Sequence, residues 1–123
     1  MIHLDTSFLI RALVPGSAQG KALVGWMRAG EPVALSAVAW TEFACGPVSP
    51  TVVEHARSLF GEPVPFEGVH ADLAATLFNA SGRRRGSLAD CMVAATAMRE
   101  TAALATVNSA DFKRFVTAGL VLA

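Results

Sequence analysis

Short apolar runs alternate with longer helical stretches along the whole chain, and this alternation constrains the fold more than any other feature. The runs are Ile2-His3-Leu4, Pro32-Val33-Ala34-Leu35, Val64-Pro65-Phe66, Leu104-Ala105-Thr106 and Leu120-Val121-Leu122. Each has the length of a strand, and the segments between them carry apolar residues at helical spacing. Parallel neighbours need crossover connections of a dozen or more residues, usually helices. The pattern therefore predicts an α/β fold: a three-layer α/β/α sandwich with a mainly parallel sheet of about five strands, in a single domain over residues 1–123. Pro65 has no N–H to give a ladder, so the 64–66 run is expected at an edge.

The helix boundaries follow from capping residues and breakers. Asp5 precedes a helix over 8–13, which Pro15-Gly16 ends; a second over 17–29 stops at Gly30. Ser36 is placed to cap 37–44 and Ser49 to cap 50–60. Further helices are predicted over 70–80, over 87–100 and over 109–115. The 87–100 helix is apolar almost all round and should be buried.

Composition narrows the function classes. Of 123 residues, 53% are hydrophobic and 16% charged, which suits a packed core and leaves apolar surface for a partner or a second copy. The net charge is zero, so no broad attraction to nucleic acid is available and any such contact must be local. Arg83-Arg84-Arg85 is the one dense basic cluster, and it reads first as an ordinary solvated loop. Cys45 and Cys91 have no knuckle spacing and read as reduced thiols. No secretory leader and no apolar run of about 20 residues is evident, so a cytoplasmic chain without a membrane span is expected.

In a parallel sheet, functional groups collect at the carboxyl ends of the strands. Asp5 follows the first strand directly, and Asp111 follows the 104–106 strand by a few residues. Asp90 opens the buried helix, and Glu42 lies in the helix after the second strand. Local chemistry offers plain roles for three of them. Asp5 can be an N-cap, Ser87 to Asp90 resembles a capping box, and Asn108 can cap a helix with Asp111 in its first turn. Glu42 sits six residues past its cap, beside Trp40 and Phe43, where capping does not reach. A carboxylate half-hidden on such a helix has its charged form disfavoured unless a cation, a donor or water offsets the desolvation; the alternative is that Glu42 points into solvent from a thin polar edge. The fold can bring all four acids to one edge. Oxygen-only ligands then suit Mg²⁺ or Mn²⁺, and an ion held there would support hydrolysis of a phosphodiester.

Other chemistries fit less well. There is no phosphate-cradling Gly-rich loop, and His3, His55 and His70 are scattered without ligand spacing. Ser7 and Cys91 lack a histidine base. A phospho-accepting receiver domain would explain Asp5 but not Glu42, and it lacks a lysine on a later strand.

The four blocks Ile2-His3-Leu4-Asp5-Thr6-Ser7, Ser36 to Glu42, Asp90 to Ala97 and Leu104 to Phe112, in this order, resemble a PIN domain, and the short length is similar to that of VapC toxins of bacterial type II toxin–antitoxin systems. The resemblance implies a Mg²⁺-dependent endoribonuclease, with Mn²⁺ as a substitute, that cuts RNA, is restrained by a VapB-type antitoxin and forms a homodimer. By position it makes Asp5, Asp90 and Glu42 metal ligands, with the fourth in the Thr106-to-Asp111 block. Many relatives carry an acid two residues after that threonine. Here the position is Asn108 and the nearest acid is Asp111, so the fourth ligand stays open between them. Thr6 or Ser7 would orient substrate phosphate, and Arg83, Arg84 and Arg85 would suit the RNA backbone. A PIN-like module that binds RNA or a protein without cutting is the alternative.

Overall fold

A computed structural model describes residues 1–123. The chain runs β1 (Ile2–Leu4), α1 (Thr6–Ala12), α2 (Ala18–Arg28), β2 (Val33–Ala34), α3 (Ala37–Ala44), α4 (Pro50–Phe60), α5 (Gly68–Ala80), α6 (Leu88–Arg99), β3 (Ala103–Ala105), α7 (Ser109–Phe112), a 3₁₀ segment (Lys113–Ala118) and β4 (Val121–Leu122). The sheet is wholly parallel, in the order β2-β1-β3-β4. Helices cover both faces, as the alternation predicts.

The sheet has four strands rather than five. Val64-Pro65-Phe66 contributes a single bridge, in which the Val64 N–H donates to Leu35 O and the Val64 carbonyl accepts from Ala37 N, both at 2.8 Å. The ladder stops there for two reasons. Its partner turns into α3 at Ala37, and Pro65 has no N–H to continue it.

Serine caps start three helices: Ser36 and Ser49 where the sequence places them, and Ser17, read from the sequence as the first residue of its helix, one position ahead of α2. Ser17, Ser36 and Ser49 each accept through Oγ from the backbone N–H three residues on, at 2.9 to 3.2 Å. The core is one cluster of 20 buried residues. Helix α6 is its centre, with Cys91 and the run Val93 to Ala97 all buried. Small side chains let α5 and α6 pack closely against each other. Helices α1 and α2 approach so tightly that a Cβ on Gly20 would lie 2.9 Å from Ala12 O.

His3 and His70 are buried and His55 is exposed. His70 Nδ1 accepts from Glu67 N at 2.9 Å, so Nε2 carries the proton and donates to Glu100 at 3.1 Å. Burial lowers the His3 pKa, and its ring nitrogens lack partners.

Candidate active site

The order β2-β1-β3-β4 makes β1 the strand from which the chain first moves one way, to β2, and then the other, to β3. Such a switch leaves a crevice beyond the carboxyl ends of the strands. Asp5 leaves β1 and Thr106 leaves β3 side by side there, joined by the Asp5 N–H donating to Ala105 O at 3.0 Å.

Asp5 is both an N-cap and a wall of the crevice. Its Oδ1 accepts from Phe8 N at 2.8 Å and from Ser7 Oγ at 2.7 Å. Its Oδ2 accepts from Thr106 Oγ1 at 2.5 Å. Thr106 Oγ1, its proton committed to Asp5, accepts from Asn108 N at 2.9 Å. One carboxylate, 5% exposed, thus ties the start of α1 to the β3–α7 loop. Thr6 Oγ1 has one proton and two acceptors in reach, Ala39 O at 3.1 Å and Glu42 Oε1 at 3.2 Å, which ties α1 to α3.

A cavity of about 220 Å³ lies among these groups, lined by Asp5, Thr6, Ser7, Glu42, Asp90, Val93, Asn108, Asp111 and Phe112. Four elements therefore deliver one carboxylate each: the β1–α1 junction, α3, α6 and α7. Thr106 is at the crevice through its bond to Asp5. Arg83, Arg84 and Arg85 are not on the cavity wall. They occupy the exposed turn between α5 and α6, where Arg83 has φ 55° and its Nη1 donates to Asn79 Oδ1 at 3.1 Å.

The capping roles divide the acids. Asp5 does cap α1. Ser87 does not cap α6 through its side chain; its Oγ donates backwards to Arg84 O at 2.7 Å, and its backbone is helical, so the 87–90 capping box does not form. The Asp90 carboxylate makes no hydrogen bond within the protein. Asn108 gives α7 no side-chain cap either. Glu42 corrects an expectation: α3 buries only Ala39 and Phe43, and Glu42 is exposed at its mouthward edge. The acid in which burial and charge conflict is instead Asp90. Its pKa is pushed from 3.8 up to about 6, first by burial and then by the charges of Asp111, Glu42 and Asp5, with Arg114 opposing. Arg114, whose charge is felt at Asp90, is a residue that sequence reading missed, since nothing in the order of residues singles out an arginine of a 3₁₀ segment.

The donor set suits a hard divalent cation: four carboxylates, a carboxamide and hydroxyls, with no sulfur or imidazole on the cavity wall. The four acids line the space without converging, since no three His, Cys, Asp or Glu side chains stand as a preformed ligand cage. Like charges that share a cavity repel one another, and a cation among them removes the penalty that Asp90 shows.

Comparison with known proteins agrees with this fold. The family model described as PIN domain matches residues 2–117. No curated protein matches the sequence significantly. Among solved structures, FitAcB from Neisseria gonorrhoeae is 26% identical with a TM-score of 0.71, over 99% of this chain and 96% of the other. VapBC2 from Rickettsia felis, bound to a DNA fragment from its promoter, is 20% identical with a TM-score of 0.78, over 100% and 98%. A toxin–antitoxin complex from Klebsiella pneumoniae is 22% identical with a TM-score of 0.73, over 91% and 90%.

Proposed function

The chain belongs to the PIN-domain family, and from that premise we propose that it is the toxin of a type II toxin–antitoxin pair, a Mg²⁺-dependent endoribonuclease acting as one unit over residues 1–123. The observation that carries the reading is the cavity at the strand switch, where four elements place one carboxylate each. Asp5, Glu42 and Asp90 would hold the ion, with Asp111 or Asn108 completing the set, and Mn²⁺ would substitute. Once bound, such an ion neutralises phosphate charge and activates water for in-line attack.

The chain's own groups divide the remaining work. Asp5 is locked by Phe8 N, Ser7 and Thr106, so its position does not depend on a ligand. Thr6 steadies Glu42 from the neighbouring helix. Ser7 and Asn108 present polar groups to the cavity and would orient the scissile phosphate. Arg83 to Arg85, exposed beside the start of α6, would hold the RNA backbone further out. With a formal charge of zero, the chain depends on such local contacts for its substrate.

A restraining partner is the second half of the proposal, supported by relatives crystallised as toxin–antitoxin complexes. An apolar groove between α2 and α4, lined by Leu23, Val24, Met27, Val52 and Leu59, is a surface for an apolar segment of a VapB-type antitoxin. A homodimer is proposed as the assembly, since large exposed apolar side chains such as Val69 and Leu88 lie elsewhere on the surface.

The test is cleavage of total RNA with Mg²⁺, followed by mapping of the new ends. Wild-type protein should cut at defined positions, and Asp90→Asn and Glu42→Gln should each lower the rate at least about 100-fold while remaining folded. RNA that is bound but uncut with either Mg²⁺ or Mn²⁺ would replace this reading with a binding module.

A further inference from the structure

Apart from His3, Arg114 is the one residue with buried side-chain nitrogens that lack any partner: Nε and Nη2 are enclosed by protein and donate to nothing. No carboxylate lies within ion-pair distance of it. Its guanidinium rests on the Phe115 ring, 4.6 Å from the centroid. Phe115 stands edge-on to Phe112 at 6.2 Å, and Phe112 is part of the cavity wall. Arg114 is thus packed behind that wall, fixed by an aromatic face rather than by a hydrogen-bonded acid. Arg114 as a whole is half-buried; its guanidinium cannot shed its proton, so a negative field beside the two enclosed nitrogens offsets what their lost hydrogen bonds cost. Arg114 lies three residues beyond Asp111, on the 3₁₀ segment that continues α7, and α7 packs against α6.

We propose that Arg114 is the built-in counter-charge of the acid cavity, a positioning residue that restrains the repulsion among its carboxylates and limits how tightly the cavity holds a divalent cation. The proposal rests on the metal-site reading above. The effect is two-sided because a single positive charge steadies the acids before an ion arrives and repels the ion once it enters. Such a residue keeps the metal exchangeable and the metal-free protein folded.

Titration calorimetry with MnCl₂ alone at pH 8, with thermal unfolding in EDTA and in saturating Mn²⁺, tests it on the full chain. Arg114→Gln should bind Mn²⁺ about tenfold more tightly at low salt, with the gain shrinking as ionic strength rises. Its Tm should fall in EDTA and recover in Mn²⁺ by more than the wild type gains. A role confined to packing on Phe115 would lower Tm equally in both conditions and leave the Mn²⁺ affinity unchanged, which overturns the proposal. Should Arg114→Gln not fold, Arg114→Lys keeps the charge and should bind Mn²⁺ within about twofold of wild type; a tenfold change there overturns it too. Wild-type protein that binds no Mn²⁺ refutes the metal reading and this proposal together, whereas wild-type binding with no gain in Arg114→Gln refutes the proposal alone.

Discussion

Asp90→Asn should stabilise the metal-free protein while abolishing its function. The Asp90 carboxylate accepts no hydrogen bond from the protein, is half-buried, and has its pKa raised from 3.8 to about 6. A rise of that size corresponds to roughly 3 kcal/mol against the charged form. The side chain is only partly buried and solvent screens the effect, so ~1–2 kcal/mol is the expected net penalty at neutral pH. The sign follows from the folded pKa lying above the unfolded one. Below about 4 the carboxyl is protonated in both states and contributes no penalty. Between about 4 and 6 the penalty grows as the unfolded chain releases a proton that the folded chain retains, and above about 6 it is complete. Asparagine, uncharged and nearly isosteric, carries none of it. Thermal unfolding in EDTA should therefore show Asp90→Asn some 3–8 °C above wild type at pH 7.5, with the difference vanishing near pH 4. A saturating divalent cation should reverse the order, because only the wild type gains a full set of ligands. An Asp90→Asn protein less stable than wild type in EDTA at pH 7.5, or a difference that does not change with pH, would refute the conflict between burial and charge at this residue.

Asp5→Asn should behave oppositely: its amide can still accept from Phe8 N, but it cannot receive both hydroxyl donors, so about 1–2 kcal/mol of stability should be lost in urea titrations together with activity. Gly20→Ala should cost about 1–3 kcal/mol despite alanine's better helix propensity, since the new methyl would meet Ala12 O at 2.9 Å; a gain in Tm would show that α1 and α2 can separate freely. The contested fourth ligand can be decided by pairing Asp111→Asn with Asn108→Asp. If Asp111 is the ligand, the first weakens Mn²⁺ binding at least about tenfold and the second does not restore it in the double variant.

Much of the fold is legible locally because its signals are local. Ser36 and Ser49 cap the helices expected of them, and the bounds of α3 and α4 coincide with those read from the chain. The fifth strand fails because a ladder needs two partners: Val64 pairs once, and then its neighbour becomes α3. At the cavity, the gathering of Asp5, Glu42, Asp90 and Asp111 follows from strand-end positions, yet their individual environments do not. Glu42 reads as half-hidden from its apolar neighbours, but α3 buries only the face of Ala39 and Phe43. Asp90 reads as a capping acid, but Ser87 turns its hydroxyl back to Arg84 and leaves the carboxylate without a donor. Arg114 has no local signature at all. Its place depends on how the 3₁₀ segment packs, a tertiary matter that residue order does not encode within a window of a few positions.

In the proposed site, carboxylates from four separate elements share one divalent ion. Anomalous diffraction from crystals soaked in Mn²⁺ tests this most directly. A peak inside the cavity, with oxygens of Asp5 and Asp90 at about 2.0–2.3 Å and lost in Asp90→Asn, is the predicted result. Well-diffracting crystals with no peak there, or with manganese bound only outside the cavity, would contradict it.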